Sequence, residues 1–285
     1  MSRFVIERAQ PLRAPIRIAY ERRGSGPLVV LIQGLGLPGR MWMGLPEGLL
    51  GMGYSVVTPD NRGTGGSDKP GPPYRMAALG DDIAAVIADV TGGRGAALVV
   101  GISLGGMIAQ HVALRHPELV CGLILASTTC GLPRGKLPRF EVLWQLVRSG
   151  FDSSAAARAM IQRRLAHPDT LRAQPSLFAR WSKELASAPT PPRAFIGQMT
   201  AALGHNTGFR LRRIACPTEV LTGDTDEIVP AANSQLLARL IPDAELTVVP
   251  RTGHVFPMEE PLALPRAVQR LDARVREGGG RWAVL

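Results

Sequence analysis

Lysine is nearly missing from this 285-residue chain: it occurs only at Lys69, Lys136 and Lys183, so 30 of the 33 basic residues are arginine. The formal net charge is +10, a value that raises nucleic acid or an anionic membrane as partners. The arginines argue against both, because they are scattered among Ala, Gly and Pro rather than clustered. What survives is a weak general attraction for anionic substrates. Cysteine is as scarce. Cys121, Cys130 and Cys216 cannot all pair within one chain, and they show neither C-x-x-C spacing nor a nearby His cluster. Neither a disulfide scaffold nor a zinc site is expected, and no metal or cofactor is called for. Long apolar runs are also missing. None approaches the roughly 18 residues of a membrane-spanning helix. At the N-terminus, MSRFVIERAQPLRAPIRIAY places Arg and Pro where a signal peptide needs roughly 7 to 15 continuous apolar residues. A cytoplasmic chain is expected, with no nucleic-acid or membrane partner; a homodimer stays open.

What is present is a 45% hydrophobic composition, enough for one large core or for a core with an insertion. From Ile16 to about Ser127, short apolar runs alternate with helix-like stretches, which calls for a parallel sheet with helices on its faces. The strands predicted are Ile16–Tyr20, Leu28–Gln33, Ser55–Thr58, Ala97–Ile102 and Leu123–Ala126. Continuous runs such as Leu28-Val29-Val30-Leu31-Ile32 suit strands buried on both faces. Ile83, Val86, Ile87 and Val90 recur at helical spacing. From Leu132 to about Arg213 the strand signal vanishes. Four helical pieces are predicted there, with faces Leu143/Trp144/Val147, Ala157/Met160/Ile161/Leu165, Leu177/Phe178/Trp181/Leu185 and Phe195/Met199/Leu203. Strands return at Thr218–Leu221 and Leu246–Val249, with a helix between them and a last one bearing Leu264, Val268, Leu271 and Val275. The Gly278-Gly279-Gly280 tail is expected to be mobile.

The sharpest chemical signal is Gly101-Ile102-Ser103-Leu104-Gly105, a G-x-S-x-G sequence directly after an apolar strand and directly before a helix-compatible run. A tight strand-to-helix turn strains the middle residue, and glycines two before and two after keep neighbouring side chains from clashing. Ser103 is thereby held at the carboxyl end of the sheet, beside a helix N-terminus that favours a developing anion. Serine needs a base, and imidazole serves near neutral pH. Of the five histidines, His111 and His116 fall in or at the end of the helix after Ser103 and read as structural; His167 and His205 read as solvated or capping. His254 follows the last strand on a loop, where a parallel sheet presents its active-site residues. A carboxylate must fix the imidazole tautomer, and Gly223-Asp224-Thr225-Asp226-Glu227 offers three. Asp226 is favoured and Asp224 is the runner-up. Two backbone N–H groups are needed for an oxyanion; Leu104 gives one, and Leu35, in the Gly-rich loop after the first buried strand, is assigned the other. Gln33, Val255, Trp144, Phe178, Trp181 and Met199 are the expected lining of a substrate pocket beneath the helical insertion.

These residues together resemble the α/β-hydrolase superfamily over most of the chain, from Ile16 to about Val275. The elbow GISLGG, the turn DNRGTGGS at Asp60 to Ser67, the acid loop GDTDEIVP and the histidine loop GHVFPMEEP all look like it. The resemblance implies an α/β-hydrolase fold, with a mostly parallel eight-stranded sheet flanked by helices. It also implies a core of residues 1–131 and 214–285, carrying a helical cap of residues 132–213 between strands six and seven. It further implies that Asp226, four residues before Pro230, is the acid, and that Arg62 is structural. One departure stands out: many relatives have His-Gly where this chain has Gln33-Gly34. The implied activity is hydrolysis of a small-molecule ester or lactone through an acyl-serine, as in small bacterial esterases, enol-lactonases and methylesterases. A perhydrolase, a carbon–carbon bond hydrolase, an acyltransferase or a non-catalytic receptor would use the same scaffold.

Overall fold

The strand Leu28–Ile32 sends Leu28, Val30 and Ile32 into one buried cluster and Val29 and Leu31 into another. That two-sided burial is why its sequence is apolar throughout. The computed structural model describes residues 2–10, 13–152, 154–187, 189–279 and 282–285. Among these, eight strands form one sheet: β1 (Ser2–Gln10), β2 (Arg13–Arg23), β3 (Leu28–Ile32), β4 (Ser55–Pro59), β5 (Ala97–Ile102), β6 (Val120–Ala126), β7 (Thr218–Gly223) and β8 (Ala244–Val249). Their spatial order is β1-β2-β4-β3-β5-β6-β7-β8. The β1/β2 and β2/β4 pairs are antiparallel, and every pairing from β4 to β8 is parallel.

Helices α1 (Leu45–Gly51), α2 (Met76–Thr91) and α3 (Leu104–Arg115) connect the first parallel strands. Then come α4 (Phe140–Ser149), α5 (Ala155–Leu165), α6 (Pro168–Ala173), α7 (Pro175–Ser187) and α8 (Pro192–Leu203), all between β6 and β7. Helix α9 (Ala232–Leu240) joins β7 to β8, and α10 (Phe256–Glu259) and α11 (Ala263–Glu277) follow. One face of the sheet is covered by α2, α3 and α9 through Ile83, Ile87, Ile108, Val112 and Leu237. The other is covered by α1 and α11 through Leu45, Leu49, Leu264, Val268 and Leu271. Both apolar helix stripes seen in the sequence are buried, Ile83/Val86/Ile87/Val90 and Leu264/Val268/Leu271/Val275 alike. No helix among the described residues is long and apolar enough to cross a membrane.

Two features depart from the sequence reading, and a third concerns C-terminal residues for which it made no prediction. Strand β1 was not expected, because its residues alternate charge with apolarity at a sheet edge: Ile6, Arg8 and Gln10 are half-buried while Arg3, Val5 and Glu7 are exposed. Among the described residues the insertion carries five α-helices rather than four, since His167-Pro168 starts a short extra one, with proline at its first position and the imidazole capping it. Finally, the C-terminal residues are docked. Leu28 N–H donates to Ala283 O (3.0 Å), Ala283 N–H to Ala96 O (2.8 Å) and Gly26 N–H to Leu285 O (3.1 Å). Gly280 lies outside the described residues, so the expectation for that part of the tail has no counterpart here.

Candidate active site

Strand β5 ends at Ile102 and α3 begins at Leu104, leaving a single residue to make the turn. Ser103 is that residue, with φ +56° and ψ −120°, a region of backbone space that costs a non-glycine residue on the order of 1–3 kcal/mol. The turn is over-determined. Ser103 N–H donates to Ala126 O (2.9 Å), and its carbonyl accepts from Thr128 Oγ1 (2.7 Å) and Gly106 N–H (3.0 Å). The flanking glycines are required by contact: a side chain at Gly101 would strike the Gly105 carbonyl, and one at Gly105 the Ile32 carbonyl of β3. Ser103 remains partly exposed, facing a cavity.

The ends of β7 and β8 supply a histidine and an acid. His254 Nδ1 lies 2.9 Å from Asp226 Oδ2 and 3.1 Å from Oδ1. Asp226 Oδ1 also accepts the N–H groups of Ile228 (2.9 Å) and Val229 (2.8 Å). The Asp226 side chain is wholly buried, so this carboxylate has its orientation fixed by the backbone that follows it. Facing two carboxylate oxygens, Nδ1 carries the proton and Nε2 keeps its lone pair. The alternatives in the acid loop are elsewhere: Asp224 is exposed and accepts Thr252 N–H (3.2 Å), and Glu227 pairs with Arg164 (2.8 Å). Ser103 and His254 line the same cavity. No hydrogen bond joins Ser103 Oγ to His254 among the described residues; such contacts commonly tighten only when substrate is bound.

Two free N–H groups complete the geometry. Leu104 opens α3, so its N–H is among the helix's unpaired first-turn donors. In the β3 loop, Gly34 N–H donates to its neighbour Gln33 Oε1 (2.9 Å) and Gly36 N–H to Gln198 Oε1 (2.7 Å). Leu35 N–H, between them, has no partner among the described residues. Gly34 packs close to Ser103, and a Cβ placed on it would sit 3.4 Å from the Ser103 Cβ and 3.9 Å from its Oγ. Gln33 therefore organises this loop by accepting a local N–H.

The cavity measures about 640 Å³ and lies between the strand ends and the helices of the insertion. Gln33, Trp181, Met199 and Val255 line it, with Leu143, Leu146, Ile161 and Phe195. Trp144 and Phe178 do not. Helix α4 is rotated from the face read in sequence, so that Val142 is buried, Leu143 and Leu146 reach the cavity, and Trp144 is 60% exposed. Phe178 is buried one turn before Trp181, in the stretch of α7 whose Phe178 carbonyl accepts from Gln162 of α5 (3.1 Å).

The other histidines lie away from this chemistry. His116 pairs with Asp81 (2.9 Å), and His167 caps α6. His205 is buried rather than solvated, its Nε2 against Thr129 O (3.1 Å) and its ring 5.4 Å from that of His111. Two residues that matter to the site went unnoticed in the sequence, Gln198 and Glu259. Glu259 accepts Gly253 N–H (2.7 Å), next to His254, and His167 N–H (2.8 Å) from the insertion.

Comparison with known proteins agrees with the fold. A family profile described as alpha/beta hydrolase fold matches residues 27–261. The chain is 32% identical to a poly(3-hydroxyalkanoate) depolymerase of Ectopseudomonas oleovorans, over 70% of this chain and 69% of that protein. It is 30% identical to a pimeloyl-[acyl-carrier protein] methyl ester esterase of Aeromonas hydrophila, over 83% of this chain and 92% of that one. Its structure is similar to that of a thermophilic esterase from Thermogutta terrifontis, with a TM-score of 0.82 and 27% identity, covering 96% of this chain and 99% of the esterase.

Proposed function

Since the chain belongs to the alpha/beta hydrolase fold family, we propose that it cleaves a carboxylic ester or lactone through an acyl-Ser103 intermediate. The observation that carries this reading is the buried His254–Asp226 pair, whose histidine lines one apolar cavity with a serine held at positive φ. In the first half-reaction Ser103 Oγ bonds to the carbonyl carbon while His254 Nε2 takes the hydroxyl proton. The carbonyl oxygen becomes an oxyanion, for which the N–H groups of Leu35 and Leu104 are the donors. Each such donor contributes about 3–4 kcal/mol to the transition state. Collapse breaks the bond to the leaving oxygen, which receives the proton from His254. Water then attacks the acyl group, again giving its proton to His254, and the acid leaves as Ser103 recovers its hydrogen. Asp226 stays ionised throughout and holds the imidazolium.

The cavity's aliphatic and aromatic lining suits a mostly apolar acid or alcohol portion. The similarity to a polyester depolymerase and a methyl ester esterase supports ester bonds as the target. A panel of p-nitrophenyl esters from acetate to decanoate, together with simple lactones, tests the proposal. Turnover is expected on at least one class, and Ser103→Ala is expected to reduce kcat by on the order of a million-fold. No turnover on any member, or full activity in Ser103→Ala, would overturn it.

A further inference from the structure

The Leu35 N–H points nowhere by itself. It belongs to a Gly-rich loop, Gln33-Gly34-Leu35-Gly36, whose backbone is free to rotate unless something fixes both sides. One side is fixed locally by Gln33. The other is fixed from the insertion: Gln198, on α8, is fully buried at 0% exposure, and its amide is spent on two backbone groups of the sheet domain. Its Oε1 accepts Gly36 N–H at 2.7 Å and its Nε2 donates to Arg62 O at 2.8 Å. Arg62 is itself immobilised, its guanidinium making two hydrogen bonds to the buried Asp82 (2.8 and 2.9 Å) and one to Gln10 (3.1 Å). Thr190 of the insertion adds a hydrogen bond to the Gly36 carbonyl (2.9 Å). Both groups of residue 36 are therefore held by residues more than 150 positions downstream.

We infer that Gln198 is a positioning residue that aims the Leu35 N–H at the carbonyl oxygen of the substrate, through its own two hydrogen bonds to the sheet domain rather than through the seating of α8 as a whole. The inference rests on the acyl-Ser103 reading. Its physical content is that N–H donors stabilise an oxyanion only when pre-aligned, and that misplacement by about 1 Å costs on the order of a hundredfold. Gln198 touches no reacting atom. Its effect belongs on kcat, not on ground-state binding.

Gln198→Met keeps the side-chain volume and removes both hydrogen bonds. With active-site concentration normalised, kcat on p-nitrophenyl butyrate is expected to fall about 10- to 100-fold with KM within about twofold. Affinity for a boronic-acid transition-state analogue is expected to fall in parallel, while the shape of the pH–rate profile stays unchanged because Gln198 carries no titratable group. Thr200→Val is the control. It loosens the same helix by removing the Thr200 Oγ1 bonds to Tyr74 N–H (3.2 Å) and Gly197 O (2.7 Å), away from the loop. It is expected to lower the melting temperature and leave kcat unchanged. Gln198→Asn, too short to span both backbone groups, serves if the methionine variant does not fold, and the same loss of kcat is expected. Wild-type kcat in the Gln198 variants, or an equal loss in Thr200→Val, would overturn the inference. Ser103→Ala separates the two levels: if it stays active the acyl-serine reading fails, whereas if it is inactive and Gln198→Met is not impaired, only the positioning role fails.

Discussion

At the scale of single residues, the geometry around Asp226 makes a sharp distinction between charge and shape. Oδ1 is committed to the N–H groups of Ile228 and Val229, so an asparagine at this position must place its oxygen there and turn its NH2 toward His254. The imidazole then presents a lone pair at Nδ1 and carries its proton on Nε2, which leaves no base beside Ser103. Asp226→Asn is accordingly expected to lower kcat by about 10⁴-fold with little change in melting temperature, the size of effect seen for the equivalent change in trypsin-like triads. A loss smaller than tenfold, measured with active-site titration, would count against Asp226 as the orienting acid. Ser103, Asp226 and His254 could be singled out in the sequence because histidine is rare here and each of the three stands on a loop or turn shortly after a strand. Gln198 was not, since a buried amide that bonds backbone groups 136 and 162 positions away has no local sequence pattern.

At the scale of elements, the short helix α10 has an importance its four residues do not suggest. Glu259 closes it, and one carboxylate bridges Gly253 of the histidine loop and His167 of the insertion. Val255 N–H, on the other side of His254, donates to Leu165 O at the end of α5 (3.0 Å). The imidazole is thus flanked by two backbone anchors, both reaching toward the insertion. Glu259→Ala strands two N–H groups, each costing about 1–3 kcal/mol when buried. The expected result is a melting temperature lower by several degrees and kcat lower by more than about tenfold; unchanged values of both would contradict this clamp. Elements buried on both faces, such as β3 and β5, were readable from their continuous apolar runs. Strand β1 was not, because an edge strand keeps its charges, and Arg8 in it is retained to reach Asp82 (2.6 Å). The phase of α4 was also misread. An exposed Trp144 and a buried Val142 invert the usual ordering by size, and only packing against neighbouring helices decides which face turns inward.

At the scale of the whole molecule, two buried histidines contribute to how stability responds to mild acid. Burial pushes His111 from its ordinary 6.5 down to about 4, with the positive charge of Arg210 adding to it, and burial pushes His205 down to about 3, helped by His111. The unfolded chain takes up these protons below about pH 6.5 and the folded one does not. Their contribution to stability is therefore complete above pH 6.5 and is lost as pH falls toward the folded values, by up to about 1.4 kcal/mol per pH unit per ring. The melting temperature is expected to decline steadily from pH 6.5 to 4.5, and His111→Leu to flatten that decline; a level profile in the wild type would contradict the assignment. The same sheet that buries these rings brings Ser103, Asp226 and His254 together from the carboxyl ends of β5, β7 and β8, the ends that a parallel sheet turns toward one rim. That convergence is the central claim, and a fluorophosphonate probe reads it directly. Peptide mapping after labelling is expected to find one adduct per chain, on Ser103, formed at least about a hundredfold more slowly in His254→Ala and absent in Ser103→Ala. Protein that turns over an ester yet carries no adduct, or carries it on another residue, would contradict it.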